Sequence, residues 1–346
     1  MKIAVAMSGG VDSSVVAGLM ARAGHEVIGI TLQLYDHGAA TSRKGACCAG
    51  QDIYDAKRVA DRLGIAHYVV DSEARFKKSV MSAFADSYAS GETPVPCIAC
   101  NQHLKFGDLL EMARDFGAEA MATGHYVRRI DGPDGAEMHQ AADGSRDQSW
   151  FLFATTRAQL DFCRFPLGGY ASKAEVRAVA AEMGLTVAEK ADSQDICFVP
   201  SGSYAGIVEK FRPDALESGE VVAEDGRVLG SHQGIARYTI GQAKRLPDAA
   251  AHMVVKKIEP GTRRIVVGPR GTQSKIVRLR DVNWLVEPRS LRADVKLRAR
   301  DTLHSASITP EGQTALLTLD EPALAAPGQA AVFYDGTRIL GGGFII

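Results

Sequence analysis

Long apolar runs are missing from this chain: none approaches the ~20 residues needed to cross a bilayer, so no membrane partner is expected. A secretory pattern is missing too, since a single lysine precedes a short strand-like run at the N-terminus. Cytoplasmic residence is therefore expected, and in that reducing compartment the six cysteines should be free, reactive or metal-binding rather than structural disulfides. Net charge is nearly absent, at −1, which by itself argues for no polyanion. Internal repeats and low-complexity tracts are also lacking. What remains is an ordinary globular composition, 46% apolar and 23% charged over 346 residues, enough for two or three domains with separate cores.

Two common nucleotide signatures are absent as well, the G-x-x-x-x-G-K-[ST] loop and G-x-G-x-x-G. In their place the apolar run Ile3–Met7 feeds into Ser8-Gly9-Gly10-Val11-Asp12-Ser13-Ser14, and Val15, Val16, Leu19, Met20 and Ala23 follow at helical spacing. Two glycines permit a tight turn and close backbone approach. The helix start adds free N–H groups and the positive end of its dipole. With the hydroxyls of Ser8, Ser13 and Ser14, the spacing predicts an anion cradle on the surface. The S-G-G-x-D-S string resembles the pyrophosphate loop of the N-type ATP pyrophosphatases, which split ATP into AMP and pyrophosphate to adenylate an oxygen.

Strand-like runs at Ile3–Met7, Val27–Leu34, His67–Val70 and Ala120–Thr123 alternate with helical patterns at about 11–23, 51–63, 73–89 and 101–116. That rhythm predicts a doubly wound parallel α/β sheet. Its ligands bind beyond the carboxyl ends of the strands. The Ser8 loop, the segment after Leu34 and Gly124-His125-Tyr126 should therefore converge. Asp131–Gly135 reads as a hairpin turn, and helical patterns resume at about 148–162 and 172–184. After about Tyr204 the character changes to short β runs. Those at 275–282, 292–300, 315–319, 330–334 and 338–344 have the spacing of a small β-barrel. The expected division is 1–204, a catalytic α/β domain; 205–270, a small central domain; and 271–346, a β-barrel domain.

Charge is unevenly spread. Between Lys256 and Arg300 thirteen Lys/Arg face four Asp/Glu, an excess of nine that leaves −10 for the remainder. Such asymmetry predicts a footprint for a polyanion, with a solvated basic face as the alternative.

Cys97 and Cys100 stand in Pro96-Cys97-Ile98-Ala99-Cys100-Asn101, just ahead of a helical pattern. Cys100 is expected at that helix's N-terminus, where the dipole would favour thiolate. Cys197 is far off in sequence. Thiolates within reach of an ATP-derived adenylate suggest sulfur transfer. The C-x-x-C could instead be half a zinc site, but a second C-x-x-C is missing. Cys163 reads as a buried filler residue, and Cys47 and Cys48 remain unassigned.

With these residues in view the chain resembles the bacterial tRNA-specific 2-thiouridylase family over nearly its whole length. The carriers are S-G-G-V-D-S-S at 8–14, A-T-G-H-Y at 122–126, D-Q-S-W-F-L at 147–152, D-S-Q-D-I-C-F at 192–198, H-Q-G at 232–234 and T-I-G-Q at 239–242. The resemblance implies that ATP, expected with Mg2+, adenylates the carbonyl oxygen at position 2 of the wobble uridine in tRNAs for Lys, Glu and Gln. Persulfide sulfur, supplied by a donor or relay protein, then gives 2-thiouridine. It implies that Cys197 carries the persulfide and that Cys100 is the nucleophile that closes a disulfide with it. ATP contacts would fall on Ala6, Met7, Ser8, Gly9, Gly10, Val11, Asp12 and Ser13, on the backbone of Leu32, and on Gly124. His125, Arg146, Asp147, Gln148 and Gln329 match tRNA-contacting positions, and Arg298 lies in the basic stretch.

Two departures from the family pattern matter. Relatives often carry an aspartate where Cys97 stands, proposed there as general acid/base, so that step would fall to Cys97, another group or water. Cys97, Cys100 and Cys197 together also offer three thiolates to an iron–sulfur cluster, a runner-up mechanism. Second, Gln242-Ala243-Lys244-Arg245 replaces a string that in relatives often reads G-Q-R-x-G-L, with glycine where Arg245 stands. Other functions compatible with the loop or the basic stretch are an amide-forming ligase, which has no use for paired cysteines, and a non-catalytic RNA-binding protein, which has no use for the loop.

Overall fold

The computed structural model describes residues 1–35, 48–192, 196–199, 204–271 and 273–346. The segment after Leu34, Cys47 and residues 193–195 of the D-S-Q-D-I-C-F motif lie outside the described residues.

In chain order the first elements are β1 (Lys2–Ala6), α1 (Val11–Arg22), β2 (Glu26–Gln33), α2 (Cys48–Leu63), β3 (Ala66–Asp71), α3 (Glu73–Phe76), α4 (Ala83–Ala89), α5 (Pro96–Ala99) and α6 (Leu109–Asp115). They continue through β4 (Ala120–Ala122), β5 (Val127–Gly132), β6 (Gly135–Gln140), α7 (Arg157–Phe162), β7 (Cys163–Arg164), α8 (Lys173–Glu182) and α9 (Tyr204–Phe211). The chain packs as two units. The first holds residues 1–79, 97–198 and 337–339; the second holds 80–96, 199–336 and 340–346.

The first unit is built on a parallel sheet of order β3-β2-β1-β4-β7. Strand order reverses between β1 and β4, so the crevice beyond their carboxyl ends is the expected ligand position of a doubly wound fold. Val5, Val15 and Val16 are fully buried in one cluster with Ala56, Val59, Val176 and Ala180. Burying each valine contributes roughly 1.5–3 kcal/mol, which anchors α1, α2 and α8 to the strand that leads into the Ser8 loop. The hairpin of β5 and β6 belongs to this unit, and Arg338 pairs with His139 there.

The sequence reading of 101–116 as one helix needs correction. The helical path begins at Pro96 and winds as a π-helix from Cys100 to Asp108 before α6. The amide of Leu109 donates to the carbonyl of Leu104, five residues back. Two tethers hold this stretch: Asn101 Nδ2 donates to the Phe151 carbonyl (3.1 Å) and Gln159 Nε2 to the Phe106 carbonyl (2.7 Å). The pattern at 148–162 is likewise two pieces, a 3-10 turn over Ser149–Leu152 and then α7.

In the second unit, β8 (Gly219–Ala223), β9 (Val228–His232), β10 (Val254–Glu259) and β11 (Arg264–Gly268) form a sheet of order β10-β11-β8-β9. Then come β12 (Ser274–Trp284), β13 (Leu291–Lys296), β14 (His304–Glu311), β15 (Thr314–Ala323), β16 (Ala330–Asp335) and β17 (Arg338–Ile345). Their order β12-β15-β14-β13-β16-β17 is closed by pairing of β12 with β17. Val277, Leu279, Val295, Ile308, Leu317, Phe333 and Ile345 fill the interior from alternate positions. Strand β14 had no counterpart in the sequence reading, and the run expected over 292–300 stops at Lys296.

Candidate active site

The loop after β1 is fixed by its own backbone. Gly9 has φ +74°, and a Cβ there would fall 2.1 Å from the carbonyl oxygen of Asp52, so both conformation and space demand glycine. Gly10 caps α1, and Asp12 lies in its first turn. Ser13 Oγ accepts from the Ser8 amide (3.1 Å), lies 3.2 Å from Ser8 Oγ and donates to the Gly10 carbonyl (3.2 Å). Ser8 is exposed and Ser13 only 3% accessible. The cradle is thus half sunk into the protein rather than lying on its surface. Ser14 drops out of it: fully buried, its hydroxyl donates to the Gly10 carbonyl at 2.8 Å. Gly124, after β4, comes against α1, since a Cβ there would sit 3.0 Å from both Asp12 Cβ and the Ser13 amide. Leu32 lies near the end of β2, half-buried, beside the buried Thr31, whose hydroxyl donates to the Met7 carbonyl at 2.7 Å.

A network of charges surrounds the loop, and the sequence reading singled out only Asp12 and Arg146 of it. Lys173, at the start of α8, donates to both carboxylate oxygens of Asp12 at 2.7 Å and pairs with Asp192 at 2.9 Å. Tyr126 donates its hydroxyl to Asp12 (2.7 Å), and Arg146 (2.8 Å) and Arg177 (3.3 Å) pair with Asp192. Burial pushes Asp192 up, but Lys173 and Arg146 outweigh it and hold the carboxyl below its ordinary range. Lys190 donates to the Gly9 carbonyl (3.0 Å) and pairs with Asp52 and Asp55 (2.6 Å each). Three lysines and arginines thus reach the loop or the start of the Cys197 segment from α8 and the stretch behind it.

The cysteines converge in the same unit. Cys97 and Cys197 keep solvent-exposed surface, while Cys100 is buried. Burial dominates all three. It pushes the Cys197 thiol up to about 12, with Cys100 and Cys97 adding to the rise and Lys105 opposing it. Cys97 is raised by burial, lowered by Lys105 and raised by Cys100; Cys100 is raised by burial and lowered by Lys105. Mutual electrostatics of this kind put the three sulfurs and Lys105 in one neighbourhood. The expectation that a helix N-terminus lowers the Cys100 thiol is overturned: the helical path starts four residues earlier, and the side chain points into the protein. Cys163 is fully buried in β7, its thiol raised to about 12 by desolvation.

A metal cluster does not fit this donor set. Among the described residues no group of three or more His, Cys, Asp or Glu side chains is arranged to hold a metal ion.

Comparison with known proteins now bears on this geometry. Residues 1–201 match the family model described as tRNA methyl transferase HUP domain, 206–269 the tRNA methyl transferase PRC-barrel domain, and 274–345 the aminomethyltransferase beta-barrel domain. The tRNA-specific 2-thiouridylase MnmA of Acidiphilium cryptum is 68% identical over 100% of this chain and 100% of its own length. Those of Gluconobacter oxydans and Paracoccus denitrificans are 62% and 56% identical, over 100% and 99% of this chain and 99% and 91% of theirs. The chain belongs to the tRNA-specific 2-thiouridylase family. Its architecture is accordingly a HUP domain on a parallel sheet, a PRC-barrel domain and a closed β-barrel, and the HUP domain supports ATP use.

The positions expected from the sequence to contact tRNA are spread over both units. In the first, His125 is half-buried, its Nδ1 2.9 Å from Thr123 Oγ1, and burial holds it well below its ordinary range, with Lys105 adding to the effect. Arg146 is exposed. Asp147 accepts from Ala141 N, Ser149 N and Ser149 Oγ, and Gln148 Oε1 accepts from the Tyr126 amide (2.9 Å). In the second unit, Arg298 is exposed and reaches Asp301 (3.2 Å), and Gln329 Nε2 donates to the Thr93 carbonyl (2.9 Å). The basic stretch is more neutral than its composition suggested. Lys257, Arg263, Arg264, Arg278, Arg280, Arg292 and Arg298 each pair with a carboxylate, and six of those carboxylates lie outside 256–300.

Proposed function

We propose that this chain is an ATP-dependent tRNA-uridine 2-sulfurtransferase that makes 2-thiouridine at the wobble position. The observation that carries the reading is the presence of Cys97, Cys100 and Cys197 as one group in the unit that also bears the S-G-G-V-D-S loop.

The loop from Ala6 to Ser13, with Leu32 and Gly124, binds ATP, and magnesium arrives on its phosphates. Backbone amides and the α1 dipole take the negative charge, and the hydroxyl of Ser8 orients it. Attack of the uridine O2 on the α-phosphorus expels pyrophosphate and leaves an adenylated base. Cys197, charged as a persulfide by a donor or relay protein, adds its terminal sulfur to carbon 2, and AMP departs with the oxygen. The Cys100 thiolate, its proton given to water, then attacks Cys197 Sγ. The bond between Cys197 Sγ and the transferred sulfur breaks, and its electron pair stays with the sulfur on the base. The two cysteines end as a disulfide, which a thiol reductant reopens. His125, Arg146, Asp147, Gln148, Arg298 and Gln329 are the proposed tRNA contacts, on tRNAs for Lys, Glu and Gln, and the place of action is the cytoplasm. The working division is 1–204 for catalysis, 205–270 as the central domain and 271–346 as a barrel that helps hold tRNA.

The test uses purified protein, ATP, tRNA and a persulfide donor, with 2-thiouridine measured by nucleoside mass spectrometry. Cys197→Ser should lose both sulfur loading and product. Cys100→Ser should load sulfur yet fall by at least about a hundredfold in product, the scale of losing a nucleophile. Full product from either variant would overturn the assignment.

A further inference from the structure

Lys105 has no place in the reading so far. Five residues separate it from Cys100, and on an α-helix that spacing would put the two about 140° apart around the axis. The stretch from Cys100 to Asp108 is a π-helix, whose i→i+5 hydrogen bonds widen the turn. That wider turn brings the lysine nearer to the side of the thiol than α winding would. Local π winding of this kind recurs at functional sites, and here it has a definite geometric effect.

The lysine's surroundings are unusual for a cation. Among the described residues no carboxylate forms an ion pair with Lys105. Its Nζ lies instead 3.5 Å from Nε2 of His125, whose Nδ1 sits 2.9 Å from Thr123 Oγ1. With His125 held neutral by burial, Nδ1–H donates to the threonine oxygen and Nε2 accepts from the lysine. The Thr123–His125 pair after β4 therefore aims the ammonium without cancelling its charge. The same charge acts on Cys97, Cys100 and Cys197, in each case favouring thiolate against the burial that opposes it.

We propose that Lys105 is a positioning residue for sulfur transfer: aimed by His125, its ammonium stabilises the Cys100 thiolate at attack and the anionic sulfur released from Cys197. The inference rests on the sulfur-transfer reading, and it adds the group that lets a buried cysteine serve as a nucleophile. Docked tRNA brings further negative charge to the site, so the need for a fixed, uncancelled cation grows when substrate is present. Among the described residues the charged or titratable groups that act on these sulfurs are the three thiols themselves and Lys105, and His125 stands behind the lysine.

The deciding experiment needs neither ATP nor tRNA. Full-length wild type, Lys105→Met, Lys105→Gln and Lys105→Arg are alkylated with iodoacetamide between about pH 6 and 10, and labelling is resolved by site with peptide mass spectrometry. Cys163, fully buried, reports any unfolding. Both neutral variants should alkylate Cys100 about tenfold more slowly at about pH 8, the effect of a one-unit rise in thiol pKa, and the arginine variant should stay near wild type. Unchanged Cys100 curves in a neutral variant that still protects Cys163 overturn the proposal. A parallel single-turnover thiolation assay should show the same loss in rate with tRNA affinity unchanged; a loss confined to tRNA affinity would make Lys105 a phosphate contact instead and overturn it. If wild type formed no 2-thiouridine, the functional reading would fail while the alkylation curves still judged Lys105.

Discussion

Arg245 shows how one residue can be both legible and costly. The family pattern that the chain resembles reads glycine there, and the chain holds Arg245 at φ +67°, a left-handed conformation that costs a side-chain-bearing residue roughly 1–2 kcal/mol. Tyr238 holds the turn by donating its hydroxyl to the Arg245 carbonyl at 2.7 Å. Arg245→Gly should therefore relieve strain, partly offset by the greater freedom of glycine in the unfolded chain. The expected outcome is a gain of about 0.5–1 kcal/mol, seen as a melting point higher by roughly 1–4 °C. An unchanged or lowered melting point would mean that the arginine side chain contributes more than its backbone costs. The cysteines were likewise legible as a group, but their protonation was not. Sequence places Cys100 before a helical pattern, whereas only the packed structure reveals that Pro96 has already begun the turn and that burial outweighs the helix end.

At the scale of elements, the α/β rhythm of the first unit was readable because its strands are apolar runs bounded by glycine, and β1, β2, β3 and β4 fall where the pattern put them. What escaped had physical reasons. Strand β14 carries serines and Pro310, and only Ala306 and Ile308 of its residues are buried, so its alternation is weak. Helix α9 is eight residues long and begins where the β character was expected. The π turn has no signal in hydrophobic spacing, because Leu104, Phe106, Leu109 and Leu110 fit a helical face either way. The short helix α5 offers a prediction of its own. Cys97 lies there with an exposed side chain, so aspartate should be tolerated. Cys97→Asp, prepared free of iron, should retain more than about half of wild-type thiolation, since the disulfide mechanism gives Cys97 no covalent step. Loss of activity together with bound iron would restore the cluster mechanism that the donor geometry disfavours.

At the scale of the whole molecule, the basic stretch calls for a quantitative expectation. Seven of its thirteen lysines and arginines are already paired with carboxylates, so fewer counterions are released on binding than the composition implies. Changing the exposed Arg270, Arg289 and Arg300 to alanine should reduce the slope of log affinity against log salt by about 2–3, measured by tRNA filter binding. No change in slope would place the footprint elsewhere.

The pairing of β12 with β17 closes the barrel, and that closure has a bearing on how the chain is made. A ribosome completes β12 at Trp284 but does not reach Arg338 until four further strands have emerged. Throughout that interval the nascent barrel carries a stave with an unmated edge, and an open edge is a template for pairing with other chains. The first unit waits as well, because it takes in residues 337–339. Premature termination just before β17 would therefore leave an incomplete first unit and an unclosed barrel in the same molecule. Quality control would meet such a product as an aggregation hazard rather than as a partly working enzyme.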